Sequence, residues 1–413
     1  MANLIVLLIV LGCGAYQFFK GTIVRAVATI IITLAAAAVA FGFFEPLSGF
    51  FISKGSSSRY PVLVPWAQPL CFSLLFVVAF ALLQTGVMQL TRVKVDFGLW
   101  PERIGRVLAG VVLGLILSGL LLTAAVMAPL PNAYPYERFD NRGTNPDAPA
   151  GVLFSPDGLV TGWFSMLSKG SFRALHKPRS FAALHPAFLD QVFLNRLNKS
   201  PEIPLVTSSD SIETPAKAGL WNAPDDIKDS EDKPIPPKTG HNLMLVRVGI
   251  RKRAMKDAAS FTLSQLRLIC KTRDVASDPL AGNAVNAYPI GYLTAPNKIQ
   301  RKGLADPIRL DRADFDENAN QRWMDFAFYV PSGSVPVLVQ FKLNNAATLS
   351  APAAEDQIPT PIPFVERRES KSQQTRPESD PGRDQKRDSS GSSGRRPLSN
   401  VSKSIVGDGF DNN

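Results

Sequence analysis

The sequence predicts a four-span α-helical membrane domain, then a water-soluble β-sandwich domain, then a disordered tail. Three observations predict this. Four long apolar runs fill the first third of the 413 residues, and the rest is polar, proline-rich and charged. That asymmetry, hidden in a mean hydropathy near zero, marks a membrane anchor with a soluble appendage. Several short segments after residue 240 alternate apolar and polar side chains with the period of half-buried strands. The expected divisions are a membrane domain at 1–130, a linker with short helices at 131–239, a β-sandwich at 240–350 and a polar tail at 351–413.

The fourth span organises the membrane domain. Val107 to Met127 carries no charge and is long enough to cross the ~30 Å hydrocarbon layer as a helix. Gly110 and Gly114 form a GxxxG pair, with Gly105 and Ala109 a turn earlier and Ser118 a turn later. Small residues at that spacing let helix backbones approach closely in lipid, where packing drives association. The pattern suits packing within one chain, and it also suits a homo-oligomer.

The other spans follow from the same arithmetic. Leu4 to Phe19 has no basic residue before it, unlike a cleaved signal, and is expected to stay as a first span. Val24 to Phe44 is the second, ended by Glu45-Pro46, with an alanine-rich packing face from Ala35 to Ala40. Pro65 to Leu90 is the third, anchored at the interface by Trp66.

Basic residues set the expected topology. Lys20 and Arg25 lie between spans one and two, and Arg92, Lys94, Arg103 and Arg106 between three and four; the second connection holds Lys54 and Arg59. The positive-inside bias puts the first and third connections in the cytoplasm and both termini outside it. The soluble part is then exported.

Downstream, Pro131 to Pro149 reads as a linker, and the scattered phenylalanines between Phe154 and Leu197 as short helices. Lys199 to Thr239 reads as an irregular loop. Leu243 to Ile250 and Trp323 to Val330 alternate cleanly, and Val337 to Leu343 alternates after the turn Pro331-Ser332-Gly333-Ser334. Between Phe261 and Cys270 the alternation slips phase, as at a β-bulge. Short strands joined by Pro/Gly turns favour a sandwich.

Composition excludes more chemistry than it offers. The formal charge of +10 is spread through loops, membrane edges and the tail without an aromatic-interleaved patch, so nucleic acid is not an expected partner. Cys13, Cys71 and Cys270 have no CxxC spacing, and His176, His185 and His241 are scattered, so no metal, cofactor or disulfide is expected. The acids Asp306, Asp311, Asp314, Asp316 and Glu317 lack the glycine of a calcium loop. Ser165 and Ser171 lack a nucleophile elbow. An enzyme is the least favoured class.

The first ~130 residues resemble the CvpA family, the colicin V production proteins of bacterial inner membranes. The resemblance rests on four spans, on the basic glycine turn Lys20-Gly21-Thr22-Ile23-Val24-Arg25, and on Glu102-Arg103-Ile104-Gly105 leading into a glycine-ribbed span. Many members have Asp where Glu102 stands, an extra residue before the glycine and more regular glycine spacing. The family implies a multi-pass inner-membrane protein linked to toxin production or export, with no catalytic residue to carry over. The strand-rich segment looks immunoglobulin-like. The expectation is therefore a non-enzymatic scaffold in the lipid bilayer whose exported domain binds an envelope or secreted protein. A small-solute channel or transporter is the alternative, although the span interiors lack the charges and breaks that transport sites use.

Overall fold

The first elements are four long helices, α1 (Ala2–Lys20), α2 (Ile23–Gly55), α3 (Ala67–Leu90) and α4 (Leu99–Met127). The computed structural model describes residues 1–55, 61–90, 98–140, 146–169, 181–199, 203–208, 210–252, 254, 260–275, 283–315 and 320–366. The predicted tail from 367, Arg92, Lys94 and His176 lie outside them.

All four helices are apolar and long enough to cross a membrane. Leu4, Leu8, Leu11, Leu82, Leu108 and Leu121 point outward and stay exposed, the pattern of a lipid-facing surface. Helix α4 is the hub: 56% of its most apolar window is buried, against 17% for α1 and α3. Its neighbours are α1, α2 and α3.

One expected boundary is corrected. Helix α2 does not stop at Glu45-Pro46 but continues to Gly55 with Pro46 inside it. An internal proline costs about 3 kcal/mol. The extra turns offset it by burying Ile52 against Ala67 and Val206.

Three shorter helices follow, α5 (Pro156–Lys169), α6 (Phe181–Leu184) and α7 (Phe188–Arg196). They form a collar on the bundle. Phe41 and Phe44 of α2 and Phe72 of α3 share one core with Phe164, Phe181, Phe188 and Phe193 of the collar. Phe41 stacks on Phe164 with centroids 4.9 Å apart and meets Phe181 edge-on at 5.6 Å. Such pairs contribute about 0.5–1.5 kcal/mol each beyond area burial.

The strands are β1 (Ile212–Glu213), β2 (Leu220–Asn222), β3 (Lys228–Asp229), β4 (His241–Arg251), β5 (Ser260–Thr262), β6 (Leu266–Thr272), β7 (Ala284–Ala287), β8 (Pro289–Ala295), β9 (Lys298–Arg301), β10 (Pro307–Arg309), β11 (Gln321–Pro331), β12 (Ser334–Phe341) and β13 (Asn345–Thr348). One sheet runs β1-β4-β11-β8-β9-β3, with β2 also on β4; a second runs β13-β12-β6-β7; β10 pairs β5. Met244, Val246, Val248 and Ile250 of β4, and Met324, Phe326, Phe328 and Val330 of β11, meet Leu266, Leu268, Cys270, Val339 and Phe341 of the second sheet in one core. Each set has the two-residue period that puts it on one face of its strand.

Three further expectations change. The 199–239 segment is not all loop, because β1 and β2 pair with β4 and bury Trp221 to 1% exposure. The phase slip at Leu263–Gln265 is a single 3₁₀ turn, with Thr262 and Gln265 forming a capping box, not a bulge. The chain leaves the domain after Phe364, not at Ala351. Phe364 packs on Tyr292 and is 1% exposed, and the N–H groups of Ala353, Ile362 and Phe364 bond Leu220 O, Asp325 Oδ2 and Leu293 O. A proline-rich strip has few donors to satisfy, so it can lie along a sheet with these few bonds and those that Thr360 O and Pro363 O accept from Arg247 and Arg322. Met1–Phe364 is one compact unit.

Candidate functional site

At the α1–α2 turn, the segments Lys20–Arg25 and Glu102–Gly105 touch. The Glu102 carboxylate accepts the Ile23 N–H at 3.1 Å and the Arg106 guanidinium at 3.0 and 2.8 Å. The bond to Ile23 satisfies one of the orphan amides at the start of α2 and places an anion at its positive end. A Cβ on Gly105 would lie 2.2 Å from Ile23 Cδ1. Lys20, Arg25 and Arg103 are exposed around this contact.

The glycine seam lies between α4 and α1. A Cβ on Gly110 would meet Gly14 Cα at 2.8 Å, and one on Gly114 would meet Val10 Cα at 2.6 Å. Ala109 is buried, and Ser118 is buried with its hydroxyl on Leu115 O at 2.9 Å. A Cβ on Gly119 would lie 2.2 Å from Pro156 O, so the collar helix α5 also rests directly on α4 backbone.

At the other end of the bundle, polar side chains fasten the collar and β-domain to the spans. Arg196, 2% exposed, is the central one. Its guanidinium donates five hydrogen bonds to Val126 O, Leu130 O, Pro131 O and Tyr134 O, at 2.7–3.1 Å. These carbonyls lie at and beyond the C-terminus of α4, where orphan acceptors and the negative helix end favour a cation. Burial pulls the Arg196 pKa down to about 10, so it stays charged at neutral pH.

His185, 3% exposed, bonds Glu45 through Nε2 at 2.5 Å and Gln191 through Nδ1 at 2.6 Å. This joins α2 to the collar. Arg267 of β6 then bonds Gln340 of β12, Asn286 of β7 and the Leu184 carbonyl. Burial pulls its pKa down to about 10 as well. Gln265 Nε2 reaches the Asn195 and Pro204 carbonyls at 3.0 and 3.1 Å. The linker is held too: Arg138 pairs with Asp190 of α7 at 2.6 Å, and the Tyr136 hydroxyl donates to Asp157 of α5. Burial foremost, then the Asp157 contact, holds the Tyr136 hydroxyl above its ordinary pKa.

A double-mutant cycle tests the Glu45–His185 tie. Glu45→Gln and His185→Phe are each expected to destabilise, with a coupling of about 1.5–3 kcal/mol, the range for a hydrogen bond to a charged group. Unfolding of the purified protein in detergent reads it. Purely additive effects would show that the pair is not coupled.

Beside the collar opens a cleft of about 1170 Å³. Its walls are α7, β7, the β8–β9 hairpin, the loop after β3 and the end of β11, including Asp190, Val285, Tyr288, Arg301 and Tyr329. Burial raises the Tyr288 hydroxyl pKa well above its usual value. The cysteines are all free; Cys270 sits in the core shared by the two sheets, where burial pushes its thiol up to about 12 and keeps it protonated. Of the acidic cluster, Asp306 pairs with Lys199 and Asp314 accepts the Asp311 N–H, while Asp316 and Glu317 lie outside the described residues.

Arg196, the Glu45–His185 pair and the cleft escaped the sequence reading, since their partners lie 60 or more residues away. Compared with protein-family models, curated proteins and solved structures, the chain matches none.

Proposed function

We propose that the protein is a non-enzymatic membrane scaffold of CvpA type, linked to toxin production or export, whose exported immunoglobulin-like domain binds an envelope or secreted partner. The observation that carries this reading is the seam between bundle and β-domain. Aromatic packing on Phe41 and Phe44, the five bonds of Arg196, and Arg267 on Leu184 O make the β-domain a fixed extension of the spans. A domain held that firmly presents a surface at a set height above the bilayer. The contact of Glu102 and Gly105 with Ile23 supports the family part, because both resembling motifs serve one joint.

A further contact supports the exported reading. The Asn3 side chain accepts the Leu153 N–H at 3.0 Å, so the N-terminus and the soluble part share one end of the bundle. Lys20, Arg25, Arg103 and Arg106 crowd the other, which the positive-inside bias places in the cytoplasm.

The test is site-specific labelling, then crosslinking. In a cysteine-free variant, Lys20→Cys is expected to react only from the cytoplasmic side and Val285→Cys only from the exported side. Crosslinking in native membranes should then capture a secreted or envelope protein on the β-domain. Reversed labelling would overturn the exported assignment. Solute flux in proteoliposomes without captured protein would favour a transporter.

A further inference from the structure

We infer that the cleft beside the collar is a strand-addition site, which takes an extended polypeptide segment carrying a carboxylate and pairs it with β7. The inference deepens the scaffold proposal, on which it rests for a partner to exist. Strand β7 ends the second sheet: its residues Ala284–Ala287 pair with Lys271–Leu268 of β6 on one side. On the other side no strand among the described residues pairs with it. That edge opens into the cleft, since Ala284, Val285, Asn286 and Ala287 all line it. An unpaired strand edge presents a row of backbone donors and acceptors that an incoming strand satisfies. Val285 is 46% exposed there, an apolar contact for alternate side chains of such a segment.

Size and charge select the occupant. At about 1170 Å³ the cleft is roomy enough for an extended segment. Four residues of β7 run about 13 Å along it, enough for one extended stretch to register. The acids of the lining are already engaged. Asp147 pairs with Lys238, Asp190 with Arg138, Glu231 with Lys233 and Asp306 with Lys199. Asp229 accepts the N–H groups of Glu231 and Lys233, both at 2.9 Å. Arg301 of β9 is exposed in the same cleft, with no carboxylate partner among the described residues. A carboxylate on the segment supplies one, whereas four of the five lining acids already hold a cation.

The experiment uses the full chain in nanodiscs and two fluorescein-labelled decapeptides, one alternating threonine with glutamate and the other threonine with lysine. The glutamate peptide is expected to bind in preference, and to slow amide hydrogen exchange at Ala284–Ala287. Arg301→Glu should weaken it about tenfold, the effect of one charge pair worth ~1.4 kcal/mol, and narrow or reverse the preference. Arg301→Gln, a milder change, should fall between. Equal binding to parent and Arg301→Glu protein, or unchanged exchange at Ala284–Ala287, overturns the site. A native partner captured only at other surfaces also overturns it while leaving the scaffold proposal standing. Protection of β7 by the glutamate peptide with no native partner captured supports the site and counts against the scaffold.

Discussion

Replacing Arg196 with methionine is expected to detach the collar from the fourth span. Arg196→Met keeps a similar apolar stem but removes the guanidinium whose five hydrogen bonds satisfy Val126 O, Leu130 O, Pro131 O and Tyr134 O. An acceptor left dry costs about 1–3 kcal/mol. With some of the four reached by water, the net loss is on the order of 3–5 kcal/mol, a large part of a typical total stability. Trypsin cleavage at Arg138 in the linker should accelerate, since Arg138 is held by Asp190 on the same helix as Arg196. Arg196→Lys, which keeps a charge but carries fewer donors in a different geometry, should be intermediate. A thermal midpoint for Arg196→Met within about a degree of the parent, with unchanged cleavage, would show that the collar is held by its phenylalanines alone.

Leucine at Gly114 is expected to part α1 from α4. The Cβ alone would sit 2.6 Å from Val10 Cα, and at Gly110 it would sit 2.8 Å from Gly14 Cα. These neighbours are backbone, so no rotamer change relieves the clash. Overpacking of a close seam costs about 1–3 kcal/mol or more, and in a membrane no hydrophobic term between helices compensates. Steady-state membrane level should fall several-fold, with faster proteolysis of α1. Val112→Leu is the control, because Val112 is 45% exposed on the outward face and should behave like the parent. Glycine and valine variants of equal abundance would show that α1 does not depend on this contact.

Much of the architecture was legible because it rests on short-range pattern. The four spans are runs of apolar residues, and a bilayer accepts little else. The faces of β4 and β11 obey a two-residue period that any half-buried strand must show. The sequence also singled out Gly110 and Gly114 by a local spacing. Pattern misled where a distant partner outweighed it. Pro46 is a helix stop on local grounds, yet the buried contact of Ile52 with Ala67 and Val206 carries α2 past it. Prolines and charges from Ala351 suggested a tail, yet Phe364 finds Tyr292 and extends the domain. In β12 the expected alternation is masked because both faces are covered: Leu338 at 3% and Gln340 at 4% exposure are as buried as Val339.

By itself, then, the sequence determined the spans, their glycine-bearing helix and the strand faces, since spacing along one chain is enough to specify each of them. Only the tertiary structure decided that the collar seats the β-domain on the bundle, that Glu102 meets Ile23, and that β7, an edge among the described residues, lines the same cleft as Arg301. Those features join side chains far apart in the chain. Their energies come from desolvated contacts between particular atoms, and no local period encodes which distant residue supplies the other half.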